Sequence, residues 1–224
     1  MSHAQNSRAT QPPNERLRGL YVITDPILTP PDLLEKKVRA ALLGGAAIVQ
    51  YRNKDAGAKA RRLQEAQSLR ALTDEYGALL IINDDTELAL ACNADGVHVG
   101  LEDTPIALAR AQLGLQRIVG ATCHGDTQLA LRAIEEGADY VAFGRFFGSN
   151  TKPDAPPAAL DAIRPALSRL TRPAVAIGGI RLENAQPLVN AGFAMLAVVG
   201  DVFSHDSAEI TLHCAAYARL FQNK

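Results

Sequence analysis

The stretch ALLIINDDTELALACNADGVHVG, residues 78–100, carries the pattern that decides the fold. An apolar run, ALLIIN (78–83), ends in Asp84 and Asp85, a helical stretch follows, and a second run, DGVHVG (95–100), completes the unit. Neither run alternates strictly between apolar and polar residues. Near-continuous apolar strands belong to a sheet covered on both faces, as in parallel β/α folds.

The same alternation extends in both directions. Further strand-like runs are LYVITD (20–25), AAIVQY (46–51), RIVGAT (117–122), DYVAFG (139–144), PAVAIG (173–178) and MLAVVG (195–200). Between them lie helix-like stretches such as DLLEKKVRAALLGG, AKARRLQEAQSLRALTDEYG, PIALARAQLG, QLALRAIEEG and AQPLVNAG, several closed by a glycine stop. Eight β-then-α units predict an α/β fold, a single (β/α)8 TIM barrel over residues 17–224. A doubly wound open sheet is the alternative, but it would have to carry all eight strands with no visible second domain. Residues 1–16 contain no apolar run and read as a polar, disordered tail rather than a secretory signal. The long irregular stretch GRFFGSNTKPDAPP (144–157) has the length of a functional loop.

Composition narrows the function. The 224 residues hold 24 acidic and 23 basic side chains, a net charge of −1, with 47% hydrophobic residues. That balance gives no sign of a nucleic-acid groove or a polybasic membrane patch. No run approaches the ~20 apolar residues of a membrane span. Cys92, Cys123 and Cys214 form an odd, widely spaced set without a C-x-x-C pair. Neither a disulfide framework nor a structural zinc site is expected, and a reducing cytoplasm is the expected setting.

In a barrel the C-terminal strand ends form the active face. The second strand ends Gln50-Tyr51-Arg52-Asn53-Lys54, and a period of two puts Gln50, Arg52 and Lys54 on one side, a receptor for a multiply charged anion. The third ends Asn83-Asp84-Asp85, and Leu101-Glu102-Asp103 follows the fourth. One carboxylate from each can converge on a single cation, and oxygen ligands with phosphate suit Mg²⁺. Asp85 and Asp103 also precede helical stretches, where an Asp commonly serves as a cap, although Thr104 could cap in place of Asp103. Ser149-Asn150-Thr151-Lys152 groups hydroxyls with an ammonium, as a phosphate grip does. Gly178-Gly179 and Val199-Gly200 end the last two strands, where barrels often bind phosphate through backbone N–H groups.

With these residues in order, the chain resembles the thiamine phosphate synthase family. The resemblance rests on YVITD (21–25), QYRNK (50–54), NDD (83–85), DGVHVGLED (95–103), GATCH (120–124), SNTK (149–152) and AIGGI (176–180), which fall at successive strand ends. It implies a Mg²⁺-dependent transferase joining a hydroxymethylpyrimidine diphosphate to a thiazole phosphate, or its carboxylated form, with release of pyrophosphate. By position, Gln50, Tyr51, Arg52, Asn53, Lys54 and Asn83 would bind the pyrimidine diphosphate, and Lys152 would reach the same diphosphate. Thr122, where relatives usually have Ser, would contact the pyrimidine, and Asp84 and Asp103 would hold the metal. Ser149, Asn150, Thr151 and Gly179 would bind the thiazole phosphate, with backbone contacts from Val199 and Gly200. Gly200 stands where relatives often have Ser, so a hydroxyl contact is lost. Arg52, Lys54 and Lys152 would act catalytically by stabilising the departing diphosphate. The expected partners are small-molecule substrates, with a homodimer among the assemblies compatible with the sequence.

Competing readings follow from the same residues. Cys123 and His124 are neighbours at a strand end and point to opposite sides, which argues against a Cys–His dyad. His124 matches the place of a proton-shuttling histidine in the related thiazole tautomerases. That alternative would need the metal carboxylates or the Gln50/Arg52/Lys54 set to be missing. His98 reads as a hydrogen-bonded barrel residue, Tyr140 and Phe143 as core, and His205 and His213 as chemically idle. A non-catalytic phosphometabolite-binding barrel is the reading from another class.

Overall fold

A computed structural model of the chain describes residues 16–148 and 157–222. In chain order its elements are β1 (Gly19–Ile23), α1 (Leu34–Leu43), β2 (Ile48–Tyr51), α2 (Lys59–Tyr76), β3 (Leu79–Asn83), α3 (Thr86–Ala91), β4 (Gly96–Val99), α4 (Ile106–Leu113) and β5 (Ile118–His124). There follow α5 (Thr127–Glu135), β6 (Tyr140–Phe143), α6 (Leu160–Leu167), β7 (Ala174–Ile177), α7 (Leu182–Ala191), β8 (Met195–Val198), α8 (Gly200–Phe203) and α9 (Ser207–Arg219). The eight strands are parallel and close in sequence order into a barrel, the expected (β/α)8 fold. Closure is made by β1 lying between β2 and β8, with Tyr21 opposite both Ile48 and Ala197.

Each expected strand overlaps an observed one. Most are shorter than the apolar runs, because the ends of the runs lie in turns. β5 is the exception, reaching His124 through a register irregularity between Thr122 and His124. The expected tail lies outside the described residues except for Arg16, whose guanidinium donates to the Gly77 carbonyl at 2.9 Å.

The strands are buried on both faces, which is why their sequences lack two-residue alternation. Tyr21, Ile48, Leu79, Ile81, Ile118, Tyr140, Val175 and Met195 fill the barrel interior. Their neighbours Leu20, Val22, Val49, Leu80, Ile82, Val97, Val119 and Val141 pack outward under the helices. Each such large apolar side chain contributes roughly 1.5–3 kcal/mol by leaving water. At the opposite end from the strand C-termini, one device recurs. Asp95 accepts the Leu80 N–H at 2.7 Å and pairs with Arg70 of α2 at 2.5 Å. Asp139 accepts the Val119 N–H at 3.0 Å and pairs with Arg110 of α4 at 2.5 Å. These carboxylates tie helix to strand below the barrel and leave its upper end open. Several helix starts are set locally: Asp85, Asp126 and Asp206 cap α3, α5 and α9 by accepting backbone N–H groups. Asp85 is thereby engaged as a cap, one of the two roles weighed for it. Among the described residues no helix is long and apolar enough to cross a membrane.

Candidate active site

A cavity of about 690 Å³ opens at the C-terminal ends of the strands. The period of two carries Gln50, Arg52 and Lys54 into it, with Asn83, Asp84, Asp103, Thr122, Gly179, Val199 and Gly200 from other strand ends. Tyr51 and Asn53 do not line it. As odd neighbours in the same run they turn to the other face, where the Tyr51 hydroxyl donates to Glu65 and Asn53 Nδ2 donates to Glu65 Oε2 at 3.4 Å. Strand alternation thus turns these two side chains away from the cavity that Gln50, Arg52 and Lys54 line. Ser149, Asn150, Thr151 and Lys152 lie outside the described residues.

The acidic pair converges. Asp84 follows β3 in a left-handed conformation, φ 63°, with its N–H donating to the His98 carbonyl of β4 at 2.8 Å. Aspartate tolerates this region better than most residues, and such outliers gather at functional sites. Its carboxylate accepts from Asn83 Nδ2 and lies 3.0 Å from Lys54 Nζ. Asp103 approaches from the loop after β4, held by the Gly100 N–H at 3.0 Å. It caps no helix, since α4 begins without a side-chain cap. Desolvation and the facing Asp84 carboxylate raise the Asp103 carboxyl above its usual range, against the opposing pull of Lys54. Two carboxylates repelling each other beside one ammonium form a donor set that a divalent cation relieves. Among the described residues no group of three or more His, Cys, Asp or Glu could hold a metal ion. Two carboxylate donors fit an ion that completes its shell with water and phosphate oxygens, as Mg²⁺ does.

The opposite rim is built from backbone. Phe146 and Phe147 donate to the carbonyls of Ile177 and Gly178 at 3.2 and 3.0 Å, which lays the segment before Ser149 against the end of β7. Gly179 has φ +62°, and a Cβ there would stand 2.3 Å from the Gly148 carbonyl oxygen, so only glycine fits. Asp201, which sequence reading passed over, accepts from the Tyr217 hydroxyl at 2.7 Å and from the Leu182 N–H at 3.2 Å, joining α8 to the start of α7. Arg145, Arg181 and His205 also line this rim.

The floor is polar. Gln50 Nε2 donates to the Tyr21 hydroxyl at 2.6 Å, which meets the Tyr140 hydroxyl at 2.9 Å. Tyr140 meets His98 Nδ1 at 3.0 Å, and His98 Nε2 meets Thr122 Oγ1 at 2.9 Å. His98 is the hydrogen-bonded barrel residue expected. Tyr140 and Tyr21 line the cavity as well as filling the core, a second role that an aromatic in an apolar run does not signal. Cys123 is buried in the layer beneath the helices while His124 lines the cavity, so the two side chains diverge as expected.

Comparisons with known proteins show the family and the fold. The family model for thiamine monophosphate synthase matches residues 20–202. A thiamine-phosphate synthase of Alcanivorax borkumensis is 52% identical over 197 residues, covering 88% of this chain and 90% of the relative. The solved thiamine phosphate pyrophosphorylase of Pyrococcus furiosus is 34% identical with a TM-score of 0.83, covering 94% of this chain and 98% of that one. The (S)-3-O-geranylgeranylglyceryl phosphate synthase of Thermoplasma acidophilum, 15% identical over 100% of both chains with a TM-score of 0.68, shares the fold.

Proposed function

The chain belongs to the thiamine monophosphate synthase family, and we propose that its cavity makes thiamine phosphate by ionising a pyrimidine diphosphate and letting a thiazole phosphate capture the cation. It is a transferase of thiamine biosynthesis acting on small-molecule substrates. The bond that breaks joins the pyrimidine methylene to diphosphate, and its electron pair leaves with the diphosphate. The bond that forms takes the lone pair of the thiazole nitrogen. No protein nucleophile is required.

The observation that carries this reading is the meeting of Asp84 and Asp103 beside Lys54 in the cavity that Arg52 also lines. Asp84 and Asp103 would hold Mg²⁺, which when bound supplies charge neutralisation to the leaving diphosphate. Arg52 and Lys54, with Lys152, bind the diphosphate and stabilise the negative charge that grows on it, an effect worth several kcal/mol for a well-placed group. Gln50, Asn83 and Thr122 hold the pyrimidine. Gly179, Val199 and Gly200 offer backbone N–H groups to the thiazole phosphate, with Ser149, Asn150 and Thr151 completing that grip. Holding both substrates in one mouth supplies the orientation the coupling needs. A reducing cytoplasm is the setting we assign, in keeping with three free, buried cysteines.

Incubating the purified protein with both substrates and Mg²⁺ and following pyrophosphate release tests the proposal. Release that needs both substrates and the metal is the expected result. Binding of both substrates without turnover would favour a phosphometabolite binder instead.

A further inference from the structure

The hydrogen-bonded chain on the cavity floor has a direction, and that direction gives a task to the groups in its middle. Each hydroxyl owns a single proton. The Tyr21 hydroxyl accepts from Gln50 Nε2, so its own proton goes to its other partner, the Tyr140 hydroxyl. The opposite direction would leave a fully buried O–H without an acceptor, which native interiors avoid. Tyr140, having accepted, donates to His98 Nδ1. The imidazole then carries its proton on Nε2 and donates it to Thr122 Oγ1. The Thr122 proton is thereby turned away from His98. At the far end, Gln50 has committed its amide nitrogen to Tyr21, which leaves its oxygen as the acceptor for the cavity it lines.

Two observations support a fixed chain. Burial raises both phenols far above their ordinary range, so each keeps its proton at any working pH. The barrel also makes room for it: a Cβ on Gly120 would stand 1.9 Å from Cζ of Tyr140, so this strand position must be glycine for the ring to lie there.

We propose that Tyr21, Tyr140 and His98 are positioning residues that hold Thr122 as a hydrogen-bond donor and Gln50 as an acceptor toward the cavity. One donor and one acceptor, held at the two ends of one hydrogen-bonded chain and both lining the cavity, match a ring nitrogen and the adjacent exocyclic N–H of an aminopyrimidine. The inference rests on the pyrimidine diphosphate being a substrate of this site, and goes beyond it by assigning the source of ring selectivity.

The test compares kcat/KM for the pyrimidine diphosphate with that for its two deaza analogues, in which one ring nitrogen is replaced by C–H. The unaltered protein should reject one of the two analogues by about tenfold or more. Tyr140→Phe removes the hydroxyl that donates to His98 Nδ1, so that discrimination should fall to within about threefold of unity, while the KM for the thiazole phosphate stays near its original value. Tyr21→Phe, which keeps the Tyr140–His98 link, should retain discrimination at the ring nitrogen and lose it against an analogue lacking the exocyclic amine. Full discrimination in Tyr140→Phe, or none in the unaltered protein, would overturn the proposal. If Tyr140→Phe does not fold, undiminished selectivity for the amine in Tyr21→Phe would overturn it. Failure of the underlying reading looks different: the unaltered protein would release no pyrophosphate from the natural pair.

Discussion

Single positions in this chain are decided by where the barrel aims them. Gln50, Arg52 and Lys54 were legible from the sequence because alternation along a strand is a local rule. Tyr51 and Asn53, carried over with them as one contiguous motif, turn their side chains to the other face, because successive side chains on a strand must part. Tyr140 was legible as core but not as part of the polar floor, since its hydroxyl meets partners 119 and 42 residues away in the chain. Gly200 offers a constructive test. A Cβ there would meet nothing closer than Ser204 Oγ at 3.9 Å, so Gly200→Ser fits without strain. The restored hydroxyl should lower the KM for the thiazole phosphate about threefold to tenfold, as one hydrogen bond of roughly 0.5–1.5 kcal/mol would. Steady-state kinetics with that substrate varied checks it, and an unchanged KM would separate Gly200 from the phosphate.

Elements are held in register by charges far from the chemistry. The Asp139–Arg110 pair is only 15% exposed on each side, and Asp139 also carries the Val119 N–H. Asp139→Ala strands the guanidinium and one backbone donor, a loss we expect to be about 2–3 kcal/mol. In a domain of this size that lowers the melting temperature by roughly 5–10 °C. Thermal unfolding measures it, and KM values for both substrates should not move, because the pair sits at the closed end of the barrel. The strands and longer helices were visible in the sequence as apolar runs ended by glycine. Gly44, Gly77, Gly114 and Gly192 do stand at the ends of α1, α2, α4 and α7. The four-residue α8 was not visible, since it is a single turn set by the exit of β8 rather than by its own periodicity.

The whole molecule closes over its thiols as it does over its core. Cys92, Cys123 and Cys214 are all buried, and burial pushes the Cys123 and Cys214 thiols up to about 12. Because the thiol is favoured below that pH, almost no thiolate exists at pH 8 in the folded state. A colorimetric thiol reagent at pH 8 should therefore titrate none of the three in the native protein and all three in denaturant. Rapid native modification would show that the barrel opens locally. The fold was legible at this scale because eight β/α units admit few closed arrangements. The strand-end residues that line the cavity were legible because polar residues there have one place to go. The proposal that Asp84 and Asp103 converge with Arg52 and Lys54 on one magnesium-bound diphosphate is tested most directly by calorimetric titration of inorganic pyrophosphate into the protein, with and without Mg²⁺, alongside Asp84→Ala. The expected result is binding that requires Mg²⁺ and weakens at least tenfold in the variant; equal affinity in the variant, or tight binding without the metal, would contradict it.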